Sequence, residues 1–340
     1  MKLSASALTL SLCLASSTAC QGQTPTQTPD PDRASLSEPA EPVTDRKAAL
    51  KDRLAELAGT EPSAETALPV SVNGNAMPHS IWQATLMPGE TLELEAETDI
   101  SVSIDGGEPA DLDATHSFTA PETPGAHQIR LFDLEGGHAL ISVFVLTPLE
   151  GQEVVEGYRI GSYPRNTPEG LIRVSRDDLD VPVSPSFTLG QFLCKQQPGH
   201  WPKFVLVSPS LLNRLEALLA EMRADELTRA ESFFVMSGFR TPFYNTAIGS
   251  ARLSRHMYGD AADIYPDVEG GDSVMDDLDG DGRVTRADAN FLYDFADRLF
   301  RNREDLDAGG IGAYGANAVH GPFVHVDGRG SRARWGRGES

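Results

Sequence analysis

Two short segments carry the side chains best able to do chemistry, Ser254-Arg-His256-Met-Tyr-Gly259-Asp-Ala-Ala-Asp263 and Phe323-Val-His325-Val-Asp327. In the second, strand alternation puts Phe323, His325 and Asp327 on one face and Val324 and Val326 on the other. A ligand histidine would then have Asp327 beside it as an orienting partner. In the first, His256 and Asp263 are seven positions apart, too far for adjacent helical turns. Gly259 allows a loop to return the chain, and Ala261, Ala262 and Ile264 read as a short, tightly packed strand around Asp263. Two imidazoles and one carboxylate are a typical catalytic zinc set that leaves a fourth position for water. Zinc lowers the pKa of that water towards about 7 and polarises a carbonyl, as amide hydrolysis requires.

A third segment, Asp277-Leu-Asp279-Gly-Asp281-Gly282-Arg283-Val-Thr285-Arg-Ala-Asp288, follows the twelve-residue EF-hand template. Side-chain oxygens fall at positions 1, 3, 5 and 9, glycine at 6, the Arg283 carbonyl at 7 and a carboxylate at 12. Position 12 is Asp and not Glu, which resembles the loops of dockerin modules; the shorter side chain reaches less well as a bidentate ligand. The expected ion is Ca2+ in a structural role, bracing the helix of residues 289 to 300.

The elements that must hold these residues show in the hydrophobic pattern. Ser208 reads as an N-cap with Pro209 in the first helical position. Leu211, Leu212, Leu215, Leu218, Leu219 and Met222 then recur as one helical stripe, and Phe291, Leu292, Phe295, Leu299 and Phe300 form a second between Asn290 and Phe300. Phe233 to Met236 is a short apolar strand. Helices mixed with a few strands predict an α+β domain over 151–340. Upstream, Thr91 to Glu97 and Ile100 to Ile104 alternate strictly, and His127 to Phe132 and Ala139 to Leu146 follow, separated by turn formers such as Pro88-Gly89 and Gly136-Gly137. Six or seven short strands over 67–148 predict an all-β sandwich of immunoglobulin-like type. Three of its histidines, His116, His127 and His138, read as surface residues. Cys194 reads as a small buried hydrophobe, and His200 as structural.

The chain has 340 residues with 50 acidic and 28 basic side chains, a formal charge of -22. Nothing in it offers nucleic acid a basic stripe, and three cysteines are too few for a disulfide framework. Met1-Lys2 and the apolar run Leu3 to Ala15 read as a signal peptide over 1–19. Residues 21 to 44 carry hardly any large apolar side chain and read as a tether, followed by a short helix from Asp45 to Leu57, within a segment 20–66.

Two resemblances sharpen this reading. Ser17-Thr18-Ala19-Cys20 resembles the lipobox of bacterial lipoproteins, which implies lipidation of Cys20, a membrane anchor through that lipid, and a place in the cell envelope. Gln21 after the cysteine implies the outer membrane, facing the periplasm. The pattern Ser-x-His-x-x-Gly-x-Ala-x-Asp followed by His-Val-Asp is similar to the zinc D-alanyl-D-alanine carboxypeptidases and their peptidoglycan endopeptidase relatives. The similarity runs over about 185–336 and includes Ser237-Gly-Phe-Arg240-Thr-Pro242, Asn245, Gly310 to Tyr314 and Trp335. It implies zinc bound by His256, Asp263 and His325, substrate bound by Arg240 and Ser254, and peptidoglycan peptides as partners. Arg240 suits a substrate carboxylate or carbonyl because its planar fork matches that geometry. Many members carry a Glu three residues before the last ligand, where this chain has Pro322; another branch uses a His five residues before it, here His320, the expected general base. Asp260 is the reserve candidate for that role. Carboxypeptidase and endopeptidase action, and D,D and L,D bonds, stay open alternatives. The contrasting reading is a non-catalytic wall-binding lipoprotein that retains the fold.

Overall fold

Alternating polar and apolar residues between Val70 and Val145 form seven strands: β1 (Val70–Val72), β2 (Asn75–Ala76), β3 (Ile81–Leu86), β4 (Thr91–Ile104), β5 (Asp113–Thr119), β6 (Gly125–Phe132) and β7 (His138–Val145). They are seen in a computed structural model that describes residues 43–59, 67–268 and 271–338. The expected signal peptide, Cys20 and most of the expected tether lie outside the described residues. Within 43–59 the chain forms helix α1 (Val43–Ala58).

The strand order is β2-β1-β4-β6-β7-β3, with β5 also on β4. The two alternating runs at 91–97 and 100–104 form one continuous strand, because no turn former separates them. β4 instead slips register between Glu95 and Ile100; its first half pairs with β1 and β5, its second with β6. One strand thus serves two sheets around a shared core of Leu92, Leu94, Phe118, Ile129, Ile141 and Val143.

Every residue of β7 is buried. Ala139, Ile141, Val143 and Val145 face that core. Phe144 joins a different one, with Trp82, Leu171 and Phe204, and Ser142 Oγ donates to the Pro182 carbonyl at 2.6 Å. A nearly continuous apolar run is what coverage on both faces demands. His138 departs from the surface expectation: it is 3 % exposed, with one ring nitrogen 3.0 Å from the Leu57 carbonyl at the end of α1 and the other 2.8 Å from the Gly136 carbonyl. His116 is also turned inward, 2.8 Å from the Ile100 carbonyl.

The chain continues without a break in packing. Strands β8 (Thr147–Pro148), β9 (Val154–Val155), β10 (Tyr158–Arg159), β11 (Gly170–Val174), β12 (Pro182–Ser184), β13 (Phe187–Thr188) and β14 (Lys203–Val205) precede helix α2 (Pro209–Ala224). β8 and β14 flank β11 in one sheet. Ser208 is the N-cap of α2 and Pro209 its first residue, although the Ser208 hydroxyl makes no capping bond. Then come β15 (Phe234–Ser237), α3 (Pro242–Ala247), β16 (Ala261–Tyr265), α4 (Arg286–Asn302), β17 (Gly310–Tyr314), β18 (Phe323–Asp327) and β19 (Ala333–Trp335). The result is a mixed α/β fold with more sheet than helix. Residues from Ala48 onward form one compact unit.

The last five strands form a sheet in the order β15-β16-β18-β17-β19. Ala262, Ile264, Ile311, Val324 and Val326 point to one side, where they share a core with Leu211, Leu215 and Leu218 of α2 and Leu292 and Ala296 of α4. Alternation therefore sends Asp263, Gly312 and His325 to the opposite face. Because Phe144 is fully buried where the upstream strands meet the downstream core, Phe144→Ala should cost about 3–5 kcal/mol. Urea unfolding followed by both fluorescence and circular dichroism should show that loss in one shared transition.

Candidate metal centre

Asp263 on β16 and His325 on β18 are direct cross-strand partners, and Gly312 on β17 lies opposite His325 on the other side. His256 arrives from a 3-10 turn, Arg255–Tyr258, that ends at Gly259 with φ +68°. A side chain at Gly259 would strain that left-handed turn and place its Cβ 2.3 Å from the Leu206 backbone, so glycine is what allows the chain to return into β16.

The three side chains converge. His256 Nε2 lies 3.2 Å from His325 Nδ1 and 3.3 Å from Asp263 Oδ1, and His325 Nδ1 lies 2.9 Å from the same oxygen. Donors bonded at about 2.0–2.1 Å around a tetrahedral zinc stand roughly 3.3 Å apart, so the cluster has the size that ion requires. The outer nitrogens are used elsewhere. His256 Nδ1 is 2.7 Å from the Gly238 carbonyl, and His325 Nε2 is 3.1 Å from Asp327 Oδ2. Each outer acceptor keeps a proton on the far side of its ring and leaves the inner nitrogen's lone pair facing the cluster.

The surroundings set the charges. Burial would raise the Asp263 carboxyl, but His256 and His325 overturn this and hold it well below the usual carboxylate range. Burial lowers His256. It also opposes charge on His325, yet hydrogen bonds to Asp263 and Asp327 raise that group overall. Asp327 is fully buried and, against the effect of burial, stays far below its ordinary value through His325 and Arg329. It accepts from the Gly310 backbone at 2.9 Å and from Arg329 Nε at 2.8 Å.

Arg240 donates through Nη2 to Asp263 Oδ2 and through Nε to Ser237 Oγ at 2.8 Å, with Ser250 Oγ 3.4 Å from Nη1. It lines a cleft of about 420 Å3 together with Ser254, His256, Asp263, His325 and Trp335. Trp335 lies 5.1 Å from the His325 ring, centroid to centroid, and donates to the Tyr314 hydroxyl at 2.8 Å. Gly312 makes room for it, since a Cβ there would sit 2.3 Å from the indole.

His320 lies outside that cleft. It lines an adjoining depression that also contains Arg240 and Ser250. Asn317 Oδ1 accepts from the Val319 and His320 backbone N–H groups, which turns its amide nitrogen towards His320 Nε2 at 2.7 Å. His320 Nδ1 is 2.7 Å from the Gly321 carbonyl. This pattern makes Nδ1 the protonated nitrogen and Nε2 the basic one. Asp260 is held by the Arg255 guanidinium, which leaves it no free role as a base.

In the acidic loop, carboxylate oxygens of Asp277, Asp279 and Asp281 lie within 4.8 Å of one another. Thr285 and Asp288 stand apart in role, forming the reciprocal cap of α4. Asp288 is fully buried and also accepts from the Leu278 backbone at 2.7 Å. The Arg283 backbone N–H donates to Asp281 at 2.8 Å.

Ser250, Asn317 and Arg329 escape the motif reading, and Ser237 and Arg255, which stand inside motifs, show their roles only here, because each acts on a partner through a contact that only the folded chain makes. Stoichiometric zinc after dialysis, measured by elemental analysis, should disappear in His256→Ala and Asp263→Ala. Asp327→Asn should keep the site but weaken zinc affinity by about 10–100-fold, since it touches the ligand and not the ion.

Residues 187–274 match the family model described as Peptidase M15. The matched stretch contains Arg240, His256 and Asp263 and ends before His325. No curated protein matches the chain. The match and the His/Asp/His cluster together support a metallopeptidase of the M15 zinc-dependent type.

Proposed function

We propose that the protein is a zinc-dependent peptidase acting on peptidoglycan stem peptides or their cross-links. The observation that carries this reading is the convergence of His256 Nε2, Asp263 Oδ1 and His325 Nδ1, with both outer ring nitrogens already engaged. His256, Asp263 and His325 would hold zinc, which when bound supplies Lewis acidity towards the scissile carbonyl and the attacking water. Arg240 fixes the second oxygen of Asp263 and turns its remaining N–H groups to the cleft, where they meet a substrate oxygen. His320, kept in the tautomer with a basic Nε2, takes a proton from the water and returns it to the leaving amine. For this the Asn317 amide gives up its place at Nε2 to the water. Ser254 lines the wall against which the substrate lies.

The remaining parts of the reading follow from the same chain. Asp277, Asp279 and Asp281 supply the side-chain oxygens of a calcium site at the start of α4, where Thr285 and Asp288 cap the helix. The strands of 67–148 act as an immunoglobulin-like spacer, supported by the two sheets that share β4. Lipidated Cys20 anchors the protein at the outer membrane, facing the periplasm.

Purified muropeptides incubated with the protein should give shortened products by mass spectrometry, lost with a zinc chelator and regained with added zinc. Unchanged muropeptides with zinc bound stoichiometrically would favour a wall-binding module. His320→Ala should reduce kcat by about 10²–10⁴-fold while leaving zinc content intact. For the acidic loop, added calcium should raise the melting temperature of the native chain, and Asp279→Ala should abolish the increase; equal melting curves would refute the calcium site.

A further inference from the structure

The metal cleft does not stand alone. It meets a second depression, of about 670 Å3, along Arg240 and Ser250. In the metal cleft every guanidinium is already committed to a buried carboxylate: Arg240 to Asp263, Arg255 to Asp260 and Arg329 to Asp327. A hydrolase that removes one C-terminal residue needs a free cation one residue beyond the scissile bond to clamp the terminal carboxylate. Among the described residues lining that cleft, none is an unpaired cation.

The second depression has a different character. Its described lining holds no Asp or Glu, although the chain carries 50 of them. Lys195 lies in it, exposed, and no described carboxylate forms an ion pair with that amine. Ile248, Leu253, Tyr314 and Val319, four of the twelve exposed large apolar side chains among the described residues, line the two depressions. Val319 is 90 % exposed. Apolar side chains on an open rim, together with an unpaired cation in an acidic protein, complement an extended peptide that bears carboxylates.

Building on the peptidase reading, we propose that the substrate occupies both depressions. The chain runs across Arg240 past the metal, a carboxylate of the distal portion pairs with Lys195, and cleavage is internal. The protein is then an endopeptidase of cross-linked acidic peptides, and the second depression sets its specificity. Water adds to the scissile carbonyl, the C–N bond breaks, and the proton taken from water leaves on the amine.

The test compares two substrates of zinc-loaded full-length protein: a purified cross-linked muropeptide dimer, and a monomeric stem peptide that ends one residue beyond the corresponding bond. The dimer should be cleaved with kcat/KM about tenfold or more above the monomer. Lys195→Glu should raise KM for the dimer by roughly fivefold, with a smaller change in kcat. Val319→Asp should act in the same direction through repulsion of the acidic chain, and melting curves of both variants should match the parent. Equal or faster release of the terminal residue from the monomer, or an unchanged KM in both variants, would overturn the proposal. Cleavage of neither substrate would overturn the peptidase reading itself.

Discussion

The arrangement rests on one cross-strand pair, Asp263 against His325. These residues are fixed in register by the antiparallel pairing of β16 and β18, so their donor atoms approach to 2.9 Å without help from any flexible loop. A one-residue slip in either strand would turn that residue into the helix-covered core and bring an alanine, isoleucine or valine to the metal face. The register is defended from behind. Ala262, Ile264, Val324 and Val326 are each 0 % exposed and have no tolerable alternative in water. Hydrophobic burial on one face thus sets the coordination geometry on the other.

Around that pair, charge is layered. Asp263 takes two imidazoles on one oxygen and Arg240 on the other, and Asp327 takes His325, Arg329 and two backbone N–H groups. Such groups could not be buried singly without large penalties. Together they alternate in sign from the outer shell inwards and leave three lone pairs directed at one point. The same pairing fixes the guanidinium groups in place, so that only the outer N–H groups of Arg240 are left to meet substrate.

Much of this was legible in the sequence where spacing carries the information. Alternation in Phe323 to Asp327 placed His325 and Asp327 on one face, and the apolar stripe from Leu211 to Met222 marked α2. Other parts were not legible, for identifiable reasons. Thr98 and Asp99 are polar and exposed and read as a gap, whereas the backbone runs through them and only the pairing partners change. His138 looked like a surface residue because its hydrogen-bond acceptor, the Leu57 carbonyl, is 81 positions away. Asn317 gives no motif signal, since its effect on His320 depends on how a short loop folds back.

The upstream strands bear on function through rigidity. One face of β7 serves the core of the upstream strands and the other serves the downstream core. Gln83 Nε2 donates to the Val207 carbonyl at 2.6 Å, two residues before α2 begins. A hinged spacer would let the catalytic sheet swing on its support, with each residue of backbone freedom to be ordered again when substrate binds. Here Phe144, Trp82 and Gln83 remove that freedom during folding. The orientation of the cleft relative to β1–β7 is set by packing, so the cleft is already in place before anything binds.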